Sequence, residues 1–124
     1  MTYDTHRDEL GYTFDSYQKD ALGTATYPGL HNNLIYPALG LAGESGEAAD
    51  KIKKLWRNQG LMGYEGTTPE WRNELAKELG DVLWYIAALA EELRIPMSTI
   101  AGMNIAKLRD RKDRGVIKSE GDNR

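Results

Sequence analysis

The chain has 124 residues, 40% of them hydrophobic, no cysteine, and a formal net charge of −3 from 16 Lys and Arg against 19 Asp and Glu. That length suits one domain with its own core, so residues 1–124 read as a single domain with the core at about 14–114. The charge argues against nucleic-acid binding, the lack of an apolar run of roughly 18 residues argues against a membrane span, and the missing cysteines exclude disulfides and thiolate metal sites. With Asp4, Asp8, Glu9, Asp15 and Asp20 in place of a signal-like apolar segment, these features predict a cytoplasmic protein.

Residues 1–12 show no period and read as a loose leader. A first helix is predicted from about Phe14 to Ala25, because Phe14, Tyr17, Ala21, Leu22 and Ala25 share one face, and Tyr27-Pro28-Gly29 stops it. The second begins between Leu34 and Ala38 with Pro37 in its first turn and ends before Gly60, its apolar stripe being Ala42, Ala49, Ile52 and Trp56. A Gly- and Thr-rich connection follows. The third helix starts with Thr67 or Thr68 as N-cap, Pro69 in the first turn and Glu70 three after Thr67 as a capping box. Its stripe is Leu75, Leu79, Val82, Ile86, Ala90 and Leu93. Pro96 breaks the chain, Ser98 or Thr99 can cap again, and Ile100, Met103 and Leu108 mark a fourth helix. After Gly115 the tail has no period and is expected to be extended or mobile. No segment sustains alternation at period two, so the predicted fold class is all-α, a four-helix-type bundle with an irregular N-terminal leader and C-terminal tail.

Two segments read alike: L-A-G-E-S-G-E from Leu41 to Glu47 and L-A-K-E-L-G-D from Leu75 to Asp81. Residues three apart on a helix lie about 60° from each other around the axis, so Glu44 and Glu47 share a face, as do Glu78 and Asp81. Each pair borders its helix's apolar stripe, with Leu41 and Leu55 on one carboxylate side and Val82, Tyr85 and Leu89 on the other. A solvated acidic face offers bases at i+4, and here only Glu47 has one, Lys51. Glu74, one turn before Glu78, adds a like charge. The cluster calls for a cation. All-oxygen anionic ligands select hard ions, Mg²⁺ or also Mn²⁺. A di-iron bundle would want Glu-x-x-His, and His6 and His31 sit in neither acid motif. Mg²⁺ held by carboxylates keeps positions for water and phosphate, which points to phosphoryl chemistry on a nucleotide.

No Walker or dinucleotide glycine pattern is present, so Gly40, Gly43 and Gly46 are read as letting helices or a metal approach closely. Phosphates must then be held by metal and side chains. Asn104, Lys107 and Arg111 share a face of the fourth helix, inside a run from Lys107 to Arg114 with five cations and two acids. That run is either a solvated helix end or a local attraction for phosphate. Gln18, Tyr17, Trp56 and Tyr85 are candidates for contacts with a base, although aromatics at helical spacing more often belong to a core.

Glu44-x-x-Glu47 followed by Glu78-x-x-Asp81, with G-L-A-G-E-S-G-E-A-A-D-K and E-L-A-K-E-L-G-D-V-L-W-Y around them, resembles the signature of MazG-like proteins of the all-α nucleoside triphosphate pyrophosphohydrolase superfamily. N-I-A-K-L-R-D-R is similar to that family's fourth-helix pattern, and the resemblance spans roughly Phe14 to Arg114. It implies Mg²⁺-dependent cleavage of a nucleoside triphosphate substrate to monophosphate and pyrophosphate, by a homodimer or dimer of dimers with sites near subunit contacts. By position it assigns Glu44, Glu47, Glu78 and Asp81 to the metal, Tyr85 to enclosing the nucleotide, and Lys54, Asn104, Lys107 and Arg111 to the phosphates. Gly43 stands where many relatives carry a further glutamate, a departure that leaves the number of ions open. In the mechanism expected, a metal-bound water attacks phosphorus and Glu47 or Glu44 takes its proton. The alternative is a non-catalytic adaptor bundle that binds nucleotide and metal without turnover.

Overall fold

The structure is a computed structural model in which residues 11–115 are described; both the expected leader, apart from its last residues, and the expected tail lie outside them. The described residues form four helices and no strand: α1 Phe14–Leu22, α2 Ile35–Gln59, α3 Pro69–Glu92 and α4 Met97–Asp113. The protein is thus an all-α bundle. In it, α3 packs against both α2 and α1, and α4 packs against α1.

Each helix end has a local chemical cause. Thr13 and Ser16 form a reciprocal capping box at α1. The helix closes at Gly23, earlier than the Ala25 predicted, because the Trp84 indole N–H of α3 donates to the Ala21 carbonyl at 3.2 Å and to Thr24 Oγ1 at 3.0 Å. Asn33 Oδ1 accepts the N–H groups of Ile35 and Tyr36, each at 3.0 Å, and starts α2. Gly60, at φ 69°, ends it in the left-handed region. Thr68 caps α3 by accepting the Trp71 N–H, with Pro69 following. The capping box predicted between Thr67 and Glu70 is not the one used: Thr67 Oγ1 donates to the Tyr64 carbonyl at 2.6 Å and accepts from Arg72.

At α4 the predicted caps, Ser98 or Thr99, lie inside the helix. Its N–H groups are satisfied from α1 instead: Gln18 Oε1 accepts from Met97 N–H at 2.8 Å and Asp15 Oδ1 from Ser98 N–H at 2.9 Å. A helix start capped by another element leaves no local signature, which is why the sequence placed it late.

Small residues make the center of the bundle. Ala21, Ala87, Ala90 and Met97 form one buried cluster, with Tyr17, Leu22, Leu83, Trp84 and Ile86 packed around it. The α2 stripe read from the sequence is corrected: Ile52 and Trp56 are 45% and 60% exposed, whereas Pro37, Ala48 and Leu55 are buried. The packed face lies one residue, about 100°, around the axis from the predicted one. Of the α3 stripe, Leu79 and Leu93, the latter at the helix's C-cap, are likewise exposed, and the buried residues of the helix are Ala87, Ala88 and Ala90. Short side chains let α3 approach its neighbors closely, so helix packing here follows size as much as hydropathy. The rotation carries Glu44 onto the face that meets α3.

Candidate metal centre

Helices α2 and α3 run antiparallel, since Gly40 meets Tyr85, Glu44 meets Asp81, and Leu55 shares a cavity wall with Trp71. This pairing brings two acid motifs that are distant in sequence to one level. One carboxylate oxygen from each of Glu44, Glu78 and Asp81 lies within 4.8 Å of the others. Glu44 and Glu78 are half-buried and Asp81 is exposed. Glu47 does not join that group. It is exposed and lines an adjoining groove of about 290 Å³ together with Glu78, Lys51, Lys54, Asn58 and Trp71.

Among the described residues none of these four acids makes a hydrogen bond or ion pair, and Lys51 forms no bridge to Glu47. The neighboring acids, by contrast, are neutralized locally. Asp50 is bridged by Lys54 at 2.7 Å and Lys53 at 3.0 Å, which hold its carboxyl down at about 2. Glu74 is bridged by Lys77 at 3.0 Å, so its charge adds little repulsion to Glu78. Loss of solvation, followed by the charges of Asp81, Glu78 and Glu47, pushes the Glu44 carboxyl above its ordinary value. Converging carboxylates without counter-charge are a donor set fit for a hard divalent cation, which would relieve that repulsion.

Beside the acids stands an aromatic wall. Glu44 and Asp81 share a groove of about 350 Å³ with Trp84 and Tyr85. Tyr85 lies flat over α2 where Gly40 leaves room; a Cβ there would overlap its ring. Burial first, then Tyr36, Glu44 and Asp81, raise the Tyr85 phenol above its ordinary value. Trp84 meets Tyr85 edge-on at 5.0 Å, Tyr36 faces Tyr85 at 6.3 Å, and Tyr27 stacks on Tyr36 at 4.9 Å and 9°. Tyr27, Tyr36 and Trp84 were not among the residues singled out from the sequence. Their signal is spatial, since Tyr27 reads as part of a turn and Tyr36 and Trp84 as ordinary helix aromatics. Of the three motif glycines only Gly40 permits a close approach; Gly43 and Gly46 face open space.

The remaining sequence candidates are dispersed. Gln18 is buried and committed to the fold, accepting from Met97 N–H and donating to Glu91 Oε2 and the Ile95 carbonyl. Tyr17 lies near Asp81, whose charge, after burial, raises its phenol. Trp56 is exposed on the outer face of α2. Lys54 lines the groove of Glu47 and Glu78. Asn104, Lys107 and Arg111 lie on α4, which packs on α1, and they do not line either acid groove. Nor do they form one solvent face, for Asn104 is exposed and Arg111 buried.

Fold and site together define an all-α bundle whose central helix hairpin gathers acids against an aromatic wall. The chain belongs to the MazG nucleotide pyrophosphohydrolase domain family, which matches residues 36–116. It is 47% identical over 116 residues to the "Gene 37 protein" of Mycobacterium phage L5, covering 89% of this chain and 97% of that protein. It is also 38% identical over 73 residues to the human "dCTP pyrophosphatase 1", covering 57% of this chain and 42% of the human protein. No solved structure matches the chain significantly. Among the described residues no helix is long and apolar enough to cross a membrane.

Proposed function

We propose that this protein hydrolyzes nucleoside or deoxynucleoside triphosphates to monophosphate and pyrophosphate, with Mg²⁺, or alternatively Mn²⁺, at Glu44, Glu78 and Asp81. The observation that carries this reading is the convergence of those three carboxylates, which make no ion pair among the described residues. The family match supports it, as does the likeness to a protein named as a dCTP pyrophosphatase.

A bound Mg²⁺ supplies neutralization of the triphosphate and acidification of a water. The chain's own residues do the rest. To Glu47, one turn beyond Glu44 and lining a groove together with Glu78, we assign the acceptance of the attacking water's proton, with Glu44 as the other candidate. Trp84 and Tyr85 offer flat faces to the nucleoside. Lys54 marks the phosphate side of the other groove. We assign Asn104 and Lys107 to phosphate contacts made toward a second copy of the chain, because their helix packs on α1 and they line neither acid groove of their own subunit, whereas Arg111 is buried within the bundle. The active form is then a homodimer or a dimer of dimers.

Hydrolysis of a panel of canonical and modified triphosphates in ¹⁸O-labeled water tests the proposal. Label is expected in the nucleoside monophosphate and none in pyrophosphate, as attack at the α-phosphorus requires. Label in inorganic phosphate with a diphosphate co-product would make the protein a simple triphosphatase. Tight nucleotide binding without turnover would make it an adaptor.

A further inference from the structure

Glu92, in the last turn of α3, takes no part in the acid cluster, yet one of its oxygens gathers three donors. Oε1 accepts from the Tyr27 hydroxyl at 3.0 Å, the His31 N–H at 2.9 Å and the Asn33 N–H at 3.2 Å. All three donors belong to the connection between α1 and α2. That connection holds a disfavored backbone at His31, a non-glycine residue at φ 78°. Such a conformation persists only when its surroundings fix it, and here the fixing group is the Glu92 carboxylate on the His31 N–H itself.

From Glu92 the constraint passes to the candidate site through two short routes. Asn33, tied to Glu92 by its backbone, is also tied to the Pro28 carbonyl at 2.7 Å and caps the N–H groups of Ile35 and Tyr36. Glu92 therefore sets where α2 begins. Tyr27, tied by its hydroxyl, stacks on Tyr36, and Tyr36 in turn faces Tyr85, which lines the groove of Glu44 and Asp81. Both routes end at Tyr36.

We infer that Glu92 is a positioning residue for the nucleoside end of the substrate, holding the Tyr27–Tyr36 pair against Tyr85 so that the aromatic wall is preformed. This rests on the hydrolase reading above and names a determinant of substrate binding within it. Glu92 touches neither metal ligand nor attacking water, so its loss weakens ground-state and transition-state binding alike. Such uniform loss appears in KM and spares kcat.

The experiment is steady-state hydrolysis by Glu92→Ala, Glu92→Gln and Asn33→Ala beside the wild type. Glu92→Ala is expected to raise KM by about tenfold or more while kcat stays within about threefold. Glu92→Gln, which keeps an acceptor oxygen in place, is expected to restore most of the KM. Asn33→Ala, which leaves Glu92 intact and removes the second link, should show the same KM-selective defect and serves alone if Glu92→Ala does not fold. The melting shift produced by Mg²⁺ should be the same in all four proteins, because the acids are untouched. Unchanged KM in the folded variants, a defect confined to kcat, or a Gln variant no better than Ala would overturn the inference alone. A wild type that hydrolyzes no triphosphate would overturn the hydrolase reading with it.

Discussion

Single residues of the acid cluster can be tested one charge at a time. Glu78→Gln keeps the shape and removes a ligand charge, and Glu74 is already engaged by Lys77. Activity is expected to fall by about two orders of magnitude or more with helical content unchanged by circular dichroism. Wild-type melting should rise with Mg²⁺, by about 2.7 kcal/mol of stability at a hundredfold excess over Kd, and the Gln variant should lose most of that rise. A second residue-scale prediction concerns Tyr27, whose phenol is pushed up to about 12 by burial first, then by its hydrogen bond to Glu92 and the charges of Glu92 and Glu91. The raised value means the folded state favors the neutral phenol. Its stabilizing contribution is complete below the ordinary value near 10 and lost as pH rises toward about 12. Alkaline titration of tyrosinate absorbance should show a late phase that Tyr27→Phe removes. That Glu44, Glu78 and Asp81 come together was legible in the sequence, because i, i+3 spacing fixes a shared face before any tertiary contact exists, whereas Glu47, one of the four acids that spacing selected, does not join them. Tyr27, Tyr36 and Trp84 were not, because their meaning lies in pairs formed across three segments of chain.

Helices show the same division between local and tertiary causes. The starts of α1 and α3 carry their own caps and were readable, whereas the start of α4 depends on Asp15 and Gln18 of α1 and was misplaced. Asp15 makes two bonds to Ser98, to its N–H at 2.9 Å and its hydroxyl at 2.6 Å, and these bonds hold the Asp15 carboxyl below its ordinary value of 3.8. The depressed value means that this cap acts above that pH and is lost as pH falls through the folded-state value. Asp15→Ala should therefore destabilize the protein near neutrality, as for other lost caps, and by much less in acid. Denaturant melts at the two pH values measure this. The α2 stripe was misread for another reason: Ile52 and Trp56 are much larger apolar side chains than Ala48, yet they are exposed and the small alanine is buried. Gly40 is the extreme of that rule. Gly40→Ala places a methyl against the Tyr85 ring and should cost roughly 1–3 kcal/mol, in the range of other overpacked contacts, with the near-ultraviolet signal of the aromatic wall altered.

At the scale of the whole molecule the single chain leaves apolar surface unaccounted for. On α2, Ile35, Leu39, Ile52 and Trp56 are 71%, 68%, 45% and 60% exposed, and on α4 Met103 and Ile105 are 65% and 45% exposed. Scattered exposed hydrophobes need no explanation, but the residues on α2 recur along an outer face that no described helix covers. The stripe that sequence periodicity assigned to the core of this chain is real as a pattern; it lies outside the core of one copy. A second copy is the economical partner, since twofold association buries the same patch on both subunits. Such an association is what the proposed phosphate contacts of α4 toward a second copy require. Light scattering at micromolar concentration is therefore expected to give at least a dimer. Trp56→Glu, which places a charge on the outer face and touches no acid ligand, should shift the protein toward monomer, with activity falling in step while α-helix content holds. A wild type that scatters as a monomer and is fully active would refute the assembly and return Asn104 and Lys107 to ordinary roles in a single bundle.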